Sequence, residues 1–110
     1  MLLPNPDQAI ADEAKVRDYL LSDTHPVGRF KAAFFRALGY SSDDWEELRR
    51  ELLWMAQTQE ARLGPETEYG QKYELRAMLQ GPAGRSAEVI CVWIVRREES
   101  APRFVTAYPR

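Results

Sequence analysis

One cysteine and one histidine are all that this chain of 110 residues holds of the two side chains that dominate zinc binding. A lone Cys91 excludes an intramolecular disulfide, and with a single histidine the usual Cys/His zinc set cannot be assembled from one chain. Cys91 lies in the apolar run Val89-Ile90-Cys91-Val92-Trp93 and reads as a small core residue, because a reactive thiol needs an electropositive, accessible setting. The absence of disulfides suits a reducing compartment, and a cytoplasmic location is expected. No apolar run approaches the length of a membrane span, so no membrane association is expected. Met1 to Asp7 lacks the basic start and long apolar core of a secretion signal. Excess positive charge is missing too: 15 basic residues face 17 acidic ones, for a net charge of −2. Broad, nonspecific coating of nucleic acid is thereby excluded, and any such contact has to be a local pocket. There is no internal repeat, low-complexity tract or linker.

What is present is the composition of one globular domain, with 45% apolar and 29% charged residues. Residues 1–64 read as mainly helical and residues 65–110 as antiparallel sheet. Asp12 is placed to cap a helix over about 13–22, with Ala14, Val16, Tyr19, Leu20 and Leu21 as its apolar contacts. Pro26 opens a second helix in which Val27, Phe30, Phe34 and Leu38 recur at spacings of three and four, and Gly39 stops it. Ser41 or Ser42 caps a third helix, whose stripe of Trp45, Leu48, Leu52 and Met55 continues toward Leu63 before Gly64-Pro65 ends it. Thereafter the period is two. Tyr73, Leu75, Ala77 and Leu79 alternate with polar neighbours, Gly81 to Gly84 makes a turn, and Ala87 to Val95 is apolar on both parities, as in a central strand. A last strand runs from Phe104 to Tyr108, and alternation puts Phe104, Thr106 and Tyr108 on one face. The expected fold is α+β: about three N-terminal helices packed on a three-stranded antiparallel meander.

Two constellations could carry chemistry. His25-Pro26-Val27-Gly28-Arg29-Phe30-Lys31 joins the lone imidazole to two cations, and no acidic residue occurs from His25 to Gly39. An imidazole beside fixed positive charge at the start of a helix suits a phosphate or another anion. The plainer reading is that His25 only caps its helix and that Arg29 and Lys31 are solvated. Arg85 after the glycine-rich turn, with Thr106 and Tyr108 on the last strand, could fix and neutralise a phosphate while a histidine moves a proton. Against this, threonine and tyrosine also favour strands for packing alone. Gly81-Pro82-Ala83-Gly84-Arg85 lacks the Gly-Lys-Ser/Thr ending of a phosphate loop, so no nucleotide cofactor is expected. The carboxylates of the third helix, from Asp43 to Glu60, read as a solvated face with no acid/base couple or metal site among them, and no metal is expected. Trp45, Trp54 and Trp93 read as core or half-core.

Leu3-Pro4-Asn5, Asp18-Tyr19-Leu20-Leu21, His25-Pro26-Val27-Gly28, Lys31-Ala32 and Leu38-Gly39-Tyr40, with Gly81-Pro82, Gly84-Arg85, Val92-Trp93 and Val105-Thr106-Ala107-Tyr108-Pro109, resemble a family of small bacterial proteins of unknown function. A more distant similarity is to the barnase, EndoU, colicin and RelE group of ribonucleases, many of them toxins of bacterial conflict. That resemblance implies metal-independent RNA cleavage by attack of a ribose 2′-hydroxyl on its own phosphate. It makes His25 the general acid or base and Lys31 the stabiliser of the phosphorane, with Arg85 binding phosphate and Thr106 and Tyr108 orienting it. The implied partners are RNA and a cognate small protein of the immunity or antitoxin kind. The competing expectations are a non-catalytic interaction module, working through an exposed apolar patch or a free sheet edge, and a binder of small anions.

Overall fold

The computed structural model describes residues 1–110. A 3-10 turn at Pro6–Gln8 precedes α1 (Glu13–Lys15), a π turn (Val16–Leu20), α2 (Arg29–Ala37) and α3 (Trp45–Thr58). The strands follow as β1 (Ala61–Thr67), β2 (Gly70–Gln80), β3 (Ser86–Arg96) and β4 (Pro102–Pro109), paired antiparallel in the order β1-β2-β3-β4. The α+β class holds, but the sheet has four strands where the sequence predicts three. The additional strand is β1, in the stretch expected to finish the third helix.

The reason lies in Gly64-Pro65. They do not terminate a helix but sit inside an edge strand, where the register shifts between Leu63 and Glu66. A proline has no N–H to give to a ladder, and a bulge on an outer strand is one of the few places in a sheet that tolerate it. Leu63 is 66% exposed, and only Ala61 of this strand is buried, so β1 carries no alternation that could announce it.

β2 and β3 build the core wall. Tyr73, Leu75, Ala77 and Leu79 lie opposite Trp93, Cys91, Val89 and Ala87, and the helices cover that face. Leu48, Leu52 and Met55 of α3 meet it, with Cys91 Sγ 3.9 Å from Met55 Sδ. Burial pushes the Cys91 thiol up to about 12, as befits a packed and unreactive sulfur. Trp93 is fully buried and meets Phe104 edge-to-face at 5.5 Å, a geometry worth about 0.5–1.5 kcal/mol beyond the area it buries.

β4 departs from simple alternation. Val92 pairs with Thr106 but Trp93 pairs with Phe104, so Val105 is an inserted residue. Phe104 and Ala107 are buried opposite Trp93 and Cys91, whereas Thr106 and Tyr108 oppose Val92 and Ile90 and are only half-buried. The expected sharing of one face by Phe104, Thr106 and Tyr108 is thus overturned by a bulge.

The helical half brings further corrections. Asp12 makes no side-chain cap, and the first helix widens into its π turn after three residues. In α2 the buried row is Gly28, Ala32 and Phe35, while Val27 and Phe30 face outward at 54% and 74% exposure. A Cβ at Gly28 would overlap the carbonyl of Tyr19. This close approach sets the rotation of α2 and overrides the better apolar spacing of the Val27–Phe30 row. Gly39, at φ +104°, then turns the chain out of α2 in a conformation that disfavours any residue with a Cβ. Ser41 Oγ accepts the Asp44 N–H at 3.3 Å ahead of α3, on which Trp45 is half-buried and Trp54 is 51% exposed.

Candidate functional site

Tyr19 is the organising side chain. Buried Val16 and Leu20 anchor the π turn on the core and leave Tyr19 at its margin, beside the edge strand β4. The contact of Gly28 with the Tyr19 backbone brings the start of α2 against it. Lys31, three residues further on, donates from Nζ to Tyr19 Oη at 2.8 Å. From the other side Thr106 Oγ1 lies 2.9 Å from the same oxygen, reached through the β4 bulge. The His25 ring stands edge-on to the Tyr19 ring at 5.1 Å.

His25 is held by the backbone that follows it. Its Nδ1 accepts the N–H groups of both Val27 and Gly28 at 3.0 Å, and its own N–H is donated to Ser22 Oγ at 3.2 Å. With Nδ1 committed as an acceptor, the neutral ring carries its proton on Nε2.

Around this cluster is a concavity of about 360 Å³, lined by Lys15, Tyr19, His25, Val27, Val105 and Thr106 together with Ala14. Lysines border it. Lys15 and Lys31 lie 5.4 and 5.2 Å from the centre of the Tyr19 ring, and neither they nor Arg29 pairs with a carboxylate. Partial burial works against ionisation of the Tyr19 phenol. The hydrogen bonds from Lys31 and Thr106 and the charges of Lys31 and Lys15 outweigh it and hold the group below its ordinary value. A phenolate here would meet two donors, an ammonium and a hydroxyl.

His25, Lys31 and Thr106 therefore converge, and what joins them is Tyr19. The sequence alone places Tyr19 among the apolar contacts of its helix; its position shortly before the lone histidine motif is the available signal. Arg85 stands apart on the exposed β2–β3 turn, seven positions before Val92, the partner of Thr106. That is roughly 23 Å of strand at ~3.3 Å per residue. Tyr108 is two residues beyond Thr106, opposite Ile90, and takes no part in the hydrogen-bonded cluster.

A larger groove, of about 800 Å³, lies between α3 and β2 and is lined by Arg50, Glu51, Leu53, Trp54 and Met78 with three neighbours. It contains no imidazole, phenol or lysine, so chemistry and not size selects the smaller concavity. No group of three or more His, Cys, Asp or Glu side chains converges as a metal-ligand set. No helix is long and apolar enough to cross a membrane.

The fold and the cluster define a small α+β domain with helices over one face of a four-stranded antiparallel meander and a phenol–ammonium–imidazole cluster at its last edge. Residues 2–110 match the profile of the domain of unknown function DUF6883, and the chain belongs to that family. The chain is also similar in structure to a component of a contact-dependent growth inhibition toxin–immunity protein complex from Klebsiella pneumoniae 342. The TM-score is 0.71 and the identity 18%, over 92% of this chain and 99% of that one. At that identity the likeness is one of fold. No curated protein matches the sequence.

Proposed function

We propose that this domain is a metal-independent, toxin-like ribonuclease working at the Tyr19 cluster. The observation that carries the reading is the chain of contacts from Lys31 through Tyr19 to Thr106, beside a histidine whose Nδ1 is committed. The Tyr19 phenolate, held by Lys31 and Thr106, takes the proton of a ribose 2′-hydroxyl. O2′ then bonds to phosphorus, the P–O5′ bond breaks, and O5′ takes a proton from the Lys31 ammonium. Transfer of one proton across the Tyr19–Lys31 hydrogen bond restores the pair. Lys31 also neutralises the charge that develops on the phosphorane. His25 presents Nε2–H to a phosphate oxygen, so the base role passes from the imidazole to the phenol. Arg85 and Tyr108 contact RNA away from the scissile group. Purified protein incubated in EDTA with total and transfer RNA should yield fragments ending in 2′,3′-cyclic phosphate, and Tyr19→Phe should slow this about 100-fold or more. Intact RNA with the wild type would overturn the reading.

A second reading, an interaction module with a cognate small protein, is favoured by the opposite rim. Pairing by β1 reaches only Leu75, while β2 runs on to Gln80, leaving an open stretch of edge beside Trp54 and Met78. Open strand edges next to apolar side chains accept extended segments of other proteins. The similar fold within a toxin–immunity protein complex supports a small partner protein. Co-purification with the products of neighbouring genes tests this. Capture by wild type and by His25→Ala, but not by Trp54→Ala, is the expected pattern; equal capture by all three would remove the groove from consideration.

A further inference from the structure

Phe30 is 74% exposed, more than any other large apolar side chain in the molecule. It is not isolated. Val27, one turn earlier on the same side of the chain and 54% exposed, forms the lip of the Tyr19 concavity, so the apolar strip leads outward from the site. The Arg29 guanidinium lies over the Phe30 ring, 4.6 Å from its centre, and pairs with no carboxylate. Lys31, the next residue along, turns the other way into the phenol cluster. No acidic residue occurs between His25 and Gly39, and Asp23 just before this segment is drawn toward Arg36 at 3.9 Å.

Resting on the RNA-cleaving reading above, we infer that Phe30 and Arg29 form a stacking platform for one unpaired nucleobase beside the scissile phosphate. An aromatic ring flanked by a guanidinium is a surface on which any base stacks, since every base offers a π-face. The surrounding cations suit the phosphates on either side of that base. A base can reach such a platform only when it is splayed out of a helix, so the substrate class is single-stranded RNA or a loop, not a duplex. The rotation of α2 explains why this phenylalanine is available, because the close contact at Gly28 buries Ala32 and Phe35 and leaves Phe30 outside. A protein partner seated on the same strip would need acidic side chains to match its cationic border, and the test below distinguishes that case.

The test measures binding separately from cleavage. A short 2′-O-methyl RNA cannot be cleaved; its single strand and its duplex would be titrated into wild type, Phe30→Ala, Phe30→Trp and Tyr19→Phe. The expected result is preference for the single strand, about 10-fold weaker binding by Phe30→Ala, and retention by Phe30→Trp. Tyr19→Phe should bind like wild type while failing to cleave ordinary RNA. Unchanged binding by Phe30→Ala, or equal binding of duplex, overturns the platform while leaving RNA cleavage standing. No binding of either RNA by wild type overturns the cleavage reading as well. Loss of a protein partner by Phe30→Ala with RNA binding unchanged reassigns the strip to a protein interface and overturns the inference.

Discussion

Two tyrosines mark the two rims of the sheet, and their surroundings are opposite. Tyr19 at the β4 rim lies among Lys15, Lys31 and Thr106, which hold its phenol below the ordinary 10.0 despite partial burial. Tyr40 lies at the β2 rim, where its Oη donates to the Gln80 carbonyl at 3.2 Å; burial and the charges of Glu51 and Glu47 push it up to about 12. One rim eases ionisation of its phenol. The other keeps its phenol neutral beside a wide groove with Trp54 and Met78 on its wall. On the proposed function size and reactivity separate: the larger recess takes a polypeptide, and the smaller one carries the proton transfer.

The sharpest way to break this comparison is at Tyr19. Tyr19→Phe and Lys31→Met should each lower RNA cleavage about 100-fold or more while the melting temperature stays near that of wild type. Rates within a few-fold of wild type would erase the chemical distinction between the rims. Next in size is Trp54→Ala, which should weaken a cognate protein by about 2 kcal/mol, roughly 30-fold, without changing RNA cleavage. A fall in cleavage instead would join the two rims into one site. Gly28→Ala is the third, because its new methyl meets the Tyr19 carbonyl; overpacking of this kind costs about 1–3 kcal/mol. Thermal unfolding should show a drop of several degrees, with cleavage falling alongside as Lys31 is moved off Tyr19.

The smallest effect is the titration itself. Followed by ultraviolet absorbance, Tyr19 should ionise below 10.0 and disappear from the curve in Tyr19→Phe, whereas Tyr40 should ionise last, near 12. The signs for stability are also opposite. Because the folded state lowers the Tyr19 value, its contribution is fully present above 10.0 and is lost as pH falls through the folded value. Because the folded state raises Tyr40, its contribution is present below 10.0 and is lost as pH climbs toward about 12. Tyr40→Phe should therefore flatten alkaline unfolding, and an unaltered alkaline limb would show that Tyr40 does not drive it.

Legibility in the sequence tracked how plainly each element advertises its burial. β2 and β3 were readable because Tyr73, Leu75, Ala77 and Leu79 alternate cleanly and Gly81 to Gly84 punctuates the turn. β1 was not, since an exposed edge with a proline in its bulge carries no alternation and, besides Pro65, only Ala61 and Leu63 as apolar residues. In α2 the apolar spacing of Val27, Phe30, Phe34 and Leu38 holds for Phe34 and Leu38, which pack on the core, but fails for Val27 and Phe30, because a backbone-to-backbone contact at Gly28 leaves no mark on periodicity. Within the site, His25, Lys31 and Thr106 announced themselves as polar residues in conspicuous places. Tyr19 did not, because a tyrosine on a helix is equally at home as packing material, and only the fold shows which end of the ring is used.

The inserted Val105 behaves as a pinned lattice defect. On one side of it Phe104 is locked against Trp93, and on the other Ala107 is locked against Cys91, all four side chains buried. An extra residue in a strand could in principle migrate along it, one position at a time. Here each step would pull an anchored side chain out of the interior, so the defect has nowhere to travel. An irregularity trapped between two anchors holds the hydroxyl of Thr106 at 2.9 Å from Tyr19 Oη.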